Sequence, residues 1–139
     1  MSRIRETFKR LKLNGEKAFI PYIMAGDPDL SSTFERMQIL QGCGADIIEL
    51  GIPFSDPLAD GTIIQMASDR ALREGITLRK VLSFIKEHRG YLQIPIVIMS
   101  YYNPIFKLGD REFLRQASEA GVDGLIIPDL TADEAKDFV

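Results

Sequence analysis

Four short apolar runs, at residues 18–24, 46–50, 94–99 and 124–127, recur along this chain with longer stretches of helical period between them. The runs are near-continuous hydrophobics rather than apolar/polar alternations, the pattern of parallel strands covered on both faces. Strands and helices alternating in this order require right-handed crossovers and a parallel sheet. Ahead of the first run, residues 2–11 place Ile4, Phe8 and Leu11 on one face and read as a leading helix. Strand starts lie about one βα unit of ~30 residues apart, except after the second strand. There the loop carries an extra helix, at residues 62–72, before the ordinary one at 78–88.

Local punctuation agrees with these elements. Ser32-Thr33-Phe34-Glu35 and Thr131-Ala132-Asp133-Glu134 fit capping boxes, and Thr77 and Asp110 fit simple N-caps. Gly42 or Gly44, Gly90 and Gly121 mark helix ends, where a residue without Cβ accepts the left-handed turn.

Two architectures accommodate this order: an open doubly wound sheet and the first half of a (β/α)8 barrel. The first βα turn, Ala25-Gly26-Asp27-Pro28-Asp29, lacks the G-x-G-x-x-G fingerprint, and its acids would repel a pyrophosphate. A Walker-type lysine loop is absent as well. These absences favour an α/β chain of the parallel TIM-barrel type, a single segment over residues 1–139 with the leading helix and the first four βα units. A complete barrel takes about 250 residues, the fourth helix is still running at Val139, and four barrel strands leave two open edges. The expectation is therefore the N-terminal half of a barrel domain, truncated or part of a longer chain.

Composition narrows the function classes. With 45% hydrophobic and 27% charged residues the chain has the make-up of an ordinary soluble globular protein. A net charge of −3, with lysines and arginines spread over the helical segments, gives no reason to expect nucleic acid or an anionic membrane as partner. No apolar stretch approaches the ~18 residues of a membrane span, and the charged N-terminus is not a signal peptide. The single cysteine, Cys43, excludes an internal disulfide and fits packing or surface placement in a reducing cytoplasm.

Barrel active sites sit at the C-terminal ends of strands. The polar residues placed there are Tyr22 and Asp27 after strand one, Glu49, Asp56 and Asp60 after strand two, Ser100, Tyr101, Tyr102 and Asn103 after strand three, and Asp129 after strand four. If Ile48 and Leu50 face the covering helices, period-two alternation points Glu49 into the barrel mouth. A carboxylate set between Ile48 and Leu50 is poorly solvated, so its pKa rises, which keeps an acid able to give and take a proton near neutrality. Structural roles compete for the same residues. Asp60 can cap the following helix, Asp56 can open a turn before Pro57, Asp27 and Asp29 suit turns and caps, and Tyr102-Asn103 suits a packed ring and an Asx-turn. The lone histidine, His88, falls in the last turn of a helix, where exposure and the helix dipole suit it. One histidine and one cysteine suggest neither a Cys–His pair nor a zinc cluster, and no lysine falls at a strand end for Schiff-base chemistry. Carboxylate acid/base work on a small molecule remains.

The run Ile47-Ile48-Glu49-Leu50-Gly51-Ile52-Pro53-Phe54-Ser55-Asp56-Pro57-Leu58-Ala59-Asp60-Gly61 closely resembles the signature of the tryptophan synthase alpha chain family. Further landmarks are Phe19-Ile20-Pro21-Tyr22-Ile23-Met24-Ala25-Gly26-Asp27-Pro28, Tyr101-Tyr102-Asn103-Pro104-Ile105, Gly121-Val122-Asp123-Gly124 and Ile127-Pro128-Asp129-Leu130. The resemblance implies a barrel roughly twice this length, of which this chain matches the N-terminal half. It implies a lyase that splits indole-3-glycerol phosphate into indole and glyceraldehyde 3-phosphate in tryptophan biosynthesis. Glu49 would be the general acid/base and Asp60 the carboxylate facing the indole N–H. Tyr22, Ser100, Tyr102 and Asp129 would line the pocket. Asp56, Pro57 and Asn103 would lie on loops that meet a β chain in an αββα complex. No cofactor or metal is expected on this chain, pyridoxal phosphate belonging to the β partner. Barrels of this type bind phosphate on loops after strands seven and eight, and the family's mobile loop follows strand six. The 139-residue chain is accordingly expected to be inactive alone. A non-catalytic half-barrel module that pairs with another barrel half is the alternative.

Overall fold

The computed structural model describes residues 2–137, with side chains described for residues 2–136. The elements are α1 (Arg3–Asn14), β1 (Tyr22–Met24), α2 (Leu30–Gly42), β2 (Ile48–Gly51), α3 (Thr62–Arg73), α4 (Leu78–His88), β3 (Ile96–Met99), α5 (Tyr102–Leu108), α6 (Asp110–Ala120) and β4 (Gly124–Ile126). Single 3-10 turns follow α4 and β4, at Arg89–Tyr91 and Glu134–Asp137. The sheet is parallel throughout with order β1-β2-β3-β4. These are three consecutive βα units of the barrel type and a fourth strand, as the apolar runs imply; the expected fourth helix is a 3-10 turn in the described residues.

The register separates two faces. Ile48 pairs with Ile96, and Leu50 with Ile98; all four are at most 1% exposed. They pack in one core with Met37 of α2, Val81 and Ile85 of α4, and Phe113 and Ala117 of α6. Completely burying such aliphatic side chains contributes about 1.5–3 kcal/mol each, which fixes the parity of every strand. The other face carries the row Tyr22, Glu49, Val97, Gly124 and, one pleat higher, the row Met24, Gly51, Met99, Ile126.

Several boundaries differ from the sequence reading. β1 starts at Tyr22 because Pro21 has no N–H for the ladder. The preceding backbone already lies along β2, with Asp46 N–H donating to Phe19 O at 2.9 Å. α2 starts at Leu30, before the Ser32 box, because the Asp29 carboxylate accepts the Ser32 N–H at 2.7 Å. Thr77 does cap α4, accepting from the Lys80 N–H at 3.3 Å. Gly109, not Asp110, precedes the first turn of α6. The Thr131/Glu134 box forms with contacts of 2.8 to 3.4 Å, but it opens a 3-10 turn. α5 was not anticipated. Pro104 occupies its first turn, where a missing N–H leaves no helical bond unmade.

The N-terminal ends of the strands are closed by α1. Asp46, just before β2, accepts the Phe19 N–H at 3.0 Å and Arg10 of α1 at 2.7 Å. Asp123, just before β4, accepts the Ile96 N–H at 2.9 Å and Arg89 at 3.0 Å, and pairs with Arg3 of α1 at 3.3 Å. Ile4 of α1 packs where a side chain on Gly124 would stand, its Cδ1 3.0 Å from an added Cβ. Among the described residues no helix is long and apolar enough to cross a membrane.

Candidate active site

Glu49 is held on β2 between Ile48 and Leu50, whose complete burial leaves it facing away from the helices. Its neighbours in the row are Tyr22 and Val97. Its carboxyl group has no hydrogen-bond or ion-pair partner among the described residues, and burial pushes its pKa up. A desolvated acid without a cation beside it keeps its proton to higher pH than a solvated one, which suits a group that must both give and take a proton.

Asp60 reaches the same end of the sheet on the loop after β2, and two buried side chains shape that loop. Ser68 of α3, 1% exposed, accepts the Phe54 N–H at 2.9 Å and donates to Phe54 O at 3.0 Å. Tyr101, 2% exposed, accepts the Ala59 N–H on its hydroxyl at 2.8 Å and lies beside Asp60. The Tyr101 ring also packs on Phe54, with centroids 5.4 Å apart. Burial, followed by the Asp60 charge, raises the Tyr101 phenol. Asp60 does not cap α3: the N-cap is Gly61, without a side-chain bond.

Tyr22 completes the cluster. It leans from β1 across β2 into space that exists because residue 51 is glycine, where a Cβ would lie 2.0 Å from the Tyr22 Oη. Its phenol is raised by burial first, then by the charges of Asp60 and Glu49 and by Tyr101. Glu49, Asp60, Tyr22 and Tyr101 thus share one electrostatic neighbourhood at the C-terminal end of β1–β3.

The remaining residues singled out by sequence take other positions. Ser100 is buried and donates to Tyr101 O at 2.9 Å. Tyr102 directs its hydroxyl to Asp110 at 2.9 Å, while its N–H donates to Asp129 at 2.8 Å. Asp129 therefore ties the loop after β4 to the start of α5. Asp56 accepts from the Ser55 hydroxyl at 2.7 Å, and with Asn103 it is exposed, Pro57 being partly covered. Asp27 forms a two-pronged pair with Arg70 of α3 at 2.7 and 2.9 Å, which holds its carboxyl below the usual range. His88 is half-buried rather than exposed, packed on Phe34 and Phe84 with its Nδ1 2.9 Å from Phe84 O. Cys43 is exposed. Among the described residues no group of His, Cys, Asp and Glu is placed to hold a metal ion.

Tyr101 is the residue that the sequence places at a strand end but to which no role was given. The signal was present: Val97, Met99 and Tyr101 alternate on the Glu49 side, whereas Ser100 and Tyr102 have the opposite parity.

This arrangement can be set beside known proteins. A family model described as the tryptophan synthase alpha chain matches residues 8–139. The tryptophan synthase alpha chain of Microcystis aeruginosa is 48% identical over 139 residues, covering 100% of this chain and 53% of that protein. That of Azoarcus sp. is 52% identical, covering 99% and 51%. The crystal structure of tryptophan synthase subunit alpha from Legionella pneumophila superposes with a TM-score of 0.96 at 45% identity, over 99% of this chain and 53% of that one. A chain in the tryptophan synthase complex of Pyrococcus furiosus superposes with a TM-score of 0.82 at 49% identity, over 87% and 50%. The chain thus spans about half the length of the curated relatives it matches. By sequence and by fold, it belongs to the tryptophan synthase alpha chain family.

Proposed function

We propose that these residues form the acid/base half of an enzyme that cleaves indole-3-glycerol phosphate to indole and glyceraldehyde 3-phosphate. The observation that carries the reading is the unlike pair of carboxyl groups at one strand end: Glu49 desolvated and unpartnered, Asp60 on the rim loop beside a phenol. Protonated Glu49 gives its proton to ring carbon C3, and the positive charge that appears on the ring nitrogen faces an ionised Asp60. Glu49, now ionised, takes the proton of the side-chain hydroxyl as the carbon–carbon bond breaks. The bonding pair returns to the ring and neutralises it. Side chains alone supply this chemistry.

The same reading places the phosphate anchor outside this chain, on later barrel loops, so the 139-residue chain alone releases no indole at ordinary enzyme rates. Asp56, Pro57 and Asn103, on rim loops, are the surface offered to a β chain that carries pyridoxal phosphate, in a cytoplasmic αββα assembly. The likeness to a chain of the Pyrococcus furiosus complex supports such a partner. The test is indole release from indole-3-glycerol phosphate by the complete protein and its Glu49→Gln variant. Near-normal turnover by the variant would remove Glu49 from the chemistry, and a silent complete protein would remove the reaction itself.

A further inference from the structure

The hydroxyl of Tyr22 is buried and has no hydrogen-bond partner among the described residues. Burying a donor with its bond unmade is costly, and native folds seldom leave one so. The group is nevertheless held in place deliberately. Gly51 clears the space for it, since any side chain there would collide with Oη at 2.0 Å. The titratable groups around it are Asp60 and Tyr101 from the rim and Glu49 from the adjacent strand. The register sets Tyr22 beside Glu49, and the charges of both acids assigned above act on its hydroxyl.

We propose that Tyr22 is a catalytic residue whose hydroxyl donates a hydrogen bond to the substrate oxygen that leaves as the aldehyde oxygen. The proposal rests on the lyase reading. A substrate with its ring N–H on Asp60 and its side-chain hydroxyl within reach of Glu49 spans the surface between them. Within that span its one acceptor oxygen is the hydroxyl on the carbon attached to the ring. As Glu49 removes that hydroxyl's proton, negative charge develops on the oxygen before it closes to C=O. The C–C bonding pair returns to the ring, and Tyr22 keeps its own proton throughout. Burial and the two neighbouring negative charges raise the phenol, so it remains a neutral donor over the working range. A donor already fixed in a dry site, with no bond to break first, is the arrangement that favours charge appearing in a transition state.

The test uses the complete protein and Tyr22→Phe. The expected result is a fall in kcat/KM for indole-3-glycerol phosphate of about 10- to 100-fold. The affinity for an analogue with a plain propyl phosphate side chain, which lacks the acceptor, should be unchanged. The melting temperature of the ligand-free protein should be unchanged or higher, because no bond is lost. Gly51→Ala, which displaces the hydroxyl without deleting it, should reproduce the selective loss of turnover. Unchanged turnover in Tyr22→Phe overturns the proposal while leaving the lyase reading intact. So does an equal loss of substrate and analogue binding, which would make the ring a packing surface. A Tyr22→Phe protein that melts lower or fails to fold also overturns it, by showing that the hydroxyl already has a structural bond. If the unsubstituted protein releases no indole, the lyase reading fails and takes this inference with it.

Discussion

Asp46 and Glu49 stand three residues apart on the same stretch of chain, and their surroundings are opposite. Asp46, at the N-terminal end of the sheet, is tied to the Phe19 N–H and to Arg10, and its carboxyl is held below the usual range. Glu49, nearer the other end, has no described partner, and burial alone raises it. Asp123 repeats the first pattern at β4, serving the Ile96 N–H, Arg89 and Arg3. One end of the sheet uses acids to join strands and anchor α1. The other keeps an acid uncommitted. The lesson is that residue type alone says nothing of role here; the number of donors aimed at each carboxylate does.

The sharpest way to break this contrast is Glu49→Gln in the complete protein. General acid/base groups contribute about 10²–10⁴-fold, and a loss of that size in indole release is expected while the fold becomes no less stable. Next in size is Asp123→Ala. Asp123 and Arg89 are 10% and 12% exposed, so the substitution strands a largely buried cation and an amide. Urea unfolding should show a loss of about 3 kcal/mol, in line with breaking a buried pair. Tyr101→Phe comes third. It removes the acceptor of the Ala59 N–H and the hydroxyl beside Asp60. A stability cost of about 1 kcal/mol should accompany a clear fall in indole release, since the carboxylate itself remains but its loop is loosened.

The smallest effect is the most diagnostic, because its sign is opposite for the two carboxyl groups and both contributions vary with pH. A lowered Asp46 stabilises the fold above the ordinary aspartate value of about 3.9. That contribution disappears as pH falls through the folded-state value. Raised Glu49 works the other way: its contribution is complete below about 4.3 and is lost as pH rises through its folded value. Asp46→Asn should therefore melt below the parent at pH 7, by an amount equivalent to about 1 kcal/mol, and approach it as pH falls through the lowered folded-state value of Asp46. Glu49→Gln should melt level with or above the parent at pH 7 and lose that advantage in acid. Parallel melting curves for the two variants across pH would erase the distinction.

Much of this was legible in advance, for physical reasons. Runs such as Ile96–Met99 must be apolar on both faces to sit in a parallel sheet, so their composition announces them. Glu49 stands out because a carboxylate is costly between Ile48 and Leu50. Partners brought from far along the chain were less visible. Nothing near Asp46 indicates that Arg10 will reach it, and nothing near Asp27 announces Arg70. Asn103-Pro104 reads as a turn, yet the first turn of α5 tolerates the proline. Of two adjacent tyrosines, only strand parity separates Tyr101, which reaches Asp60, from Tyr102, which reaches Asp110.

Counted as an insertion between a strand and its own barrel helix, α3 looks dispensable. Yet Ser68 grips Phe54 through two bonds, and two positions later Arg70 grips Asp27, so one short helix splints two neighbouring rim loops at once. Pruning the chain towards a minimal strand–helix repeat would cut that splint before it deleted a single acid, leaving the reactive groups present but unaimed.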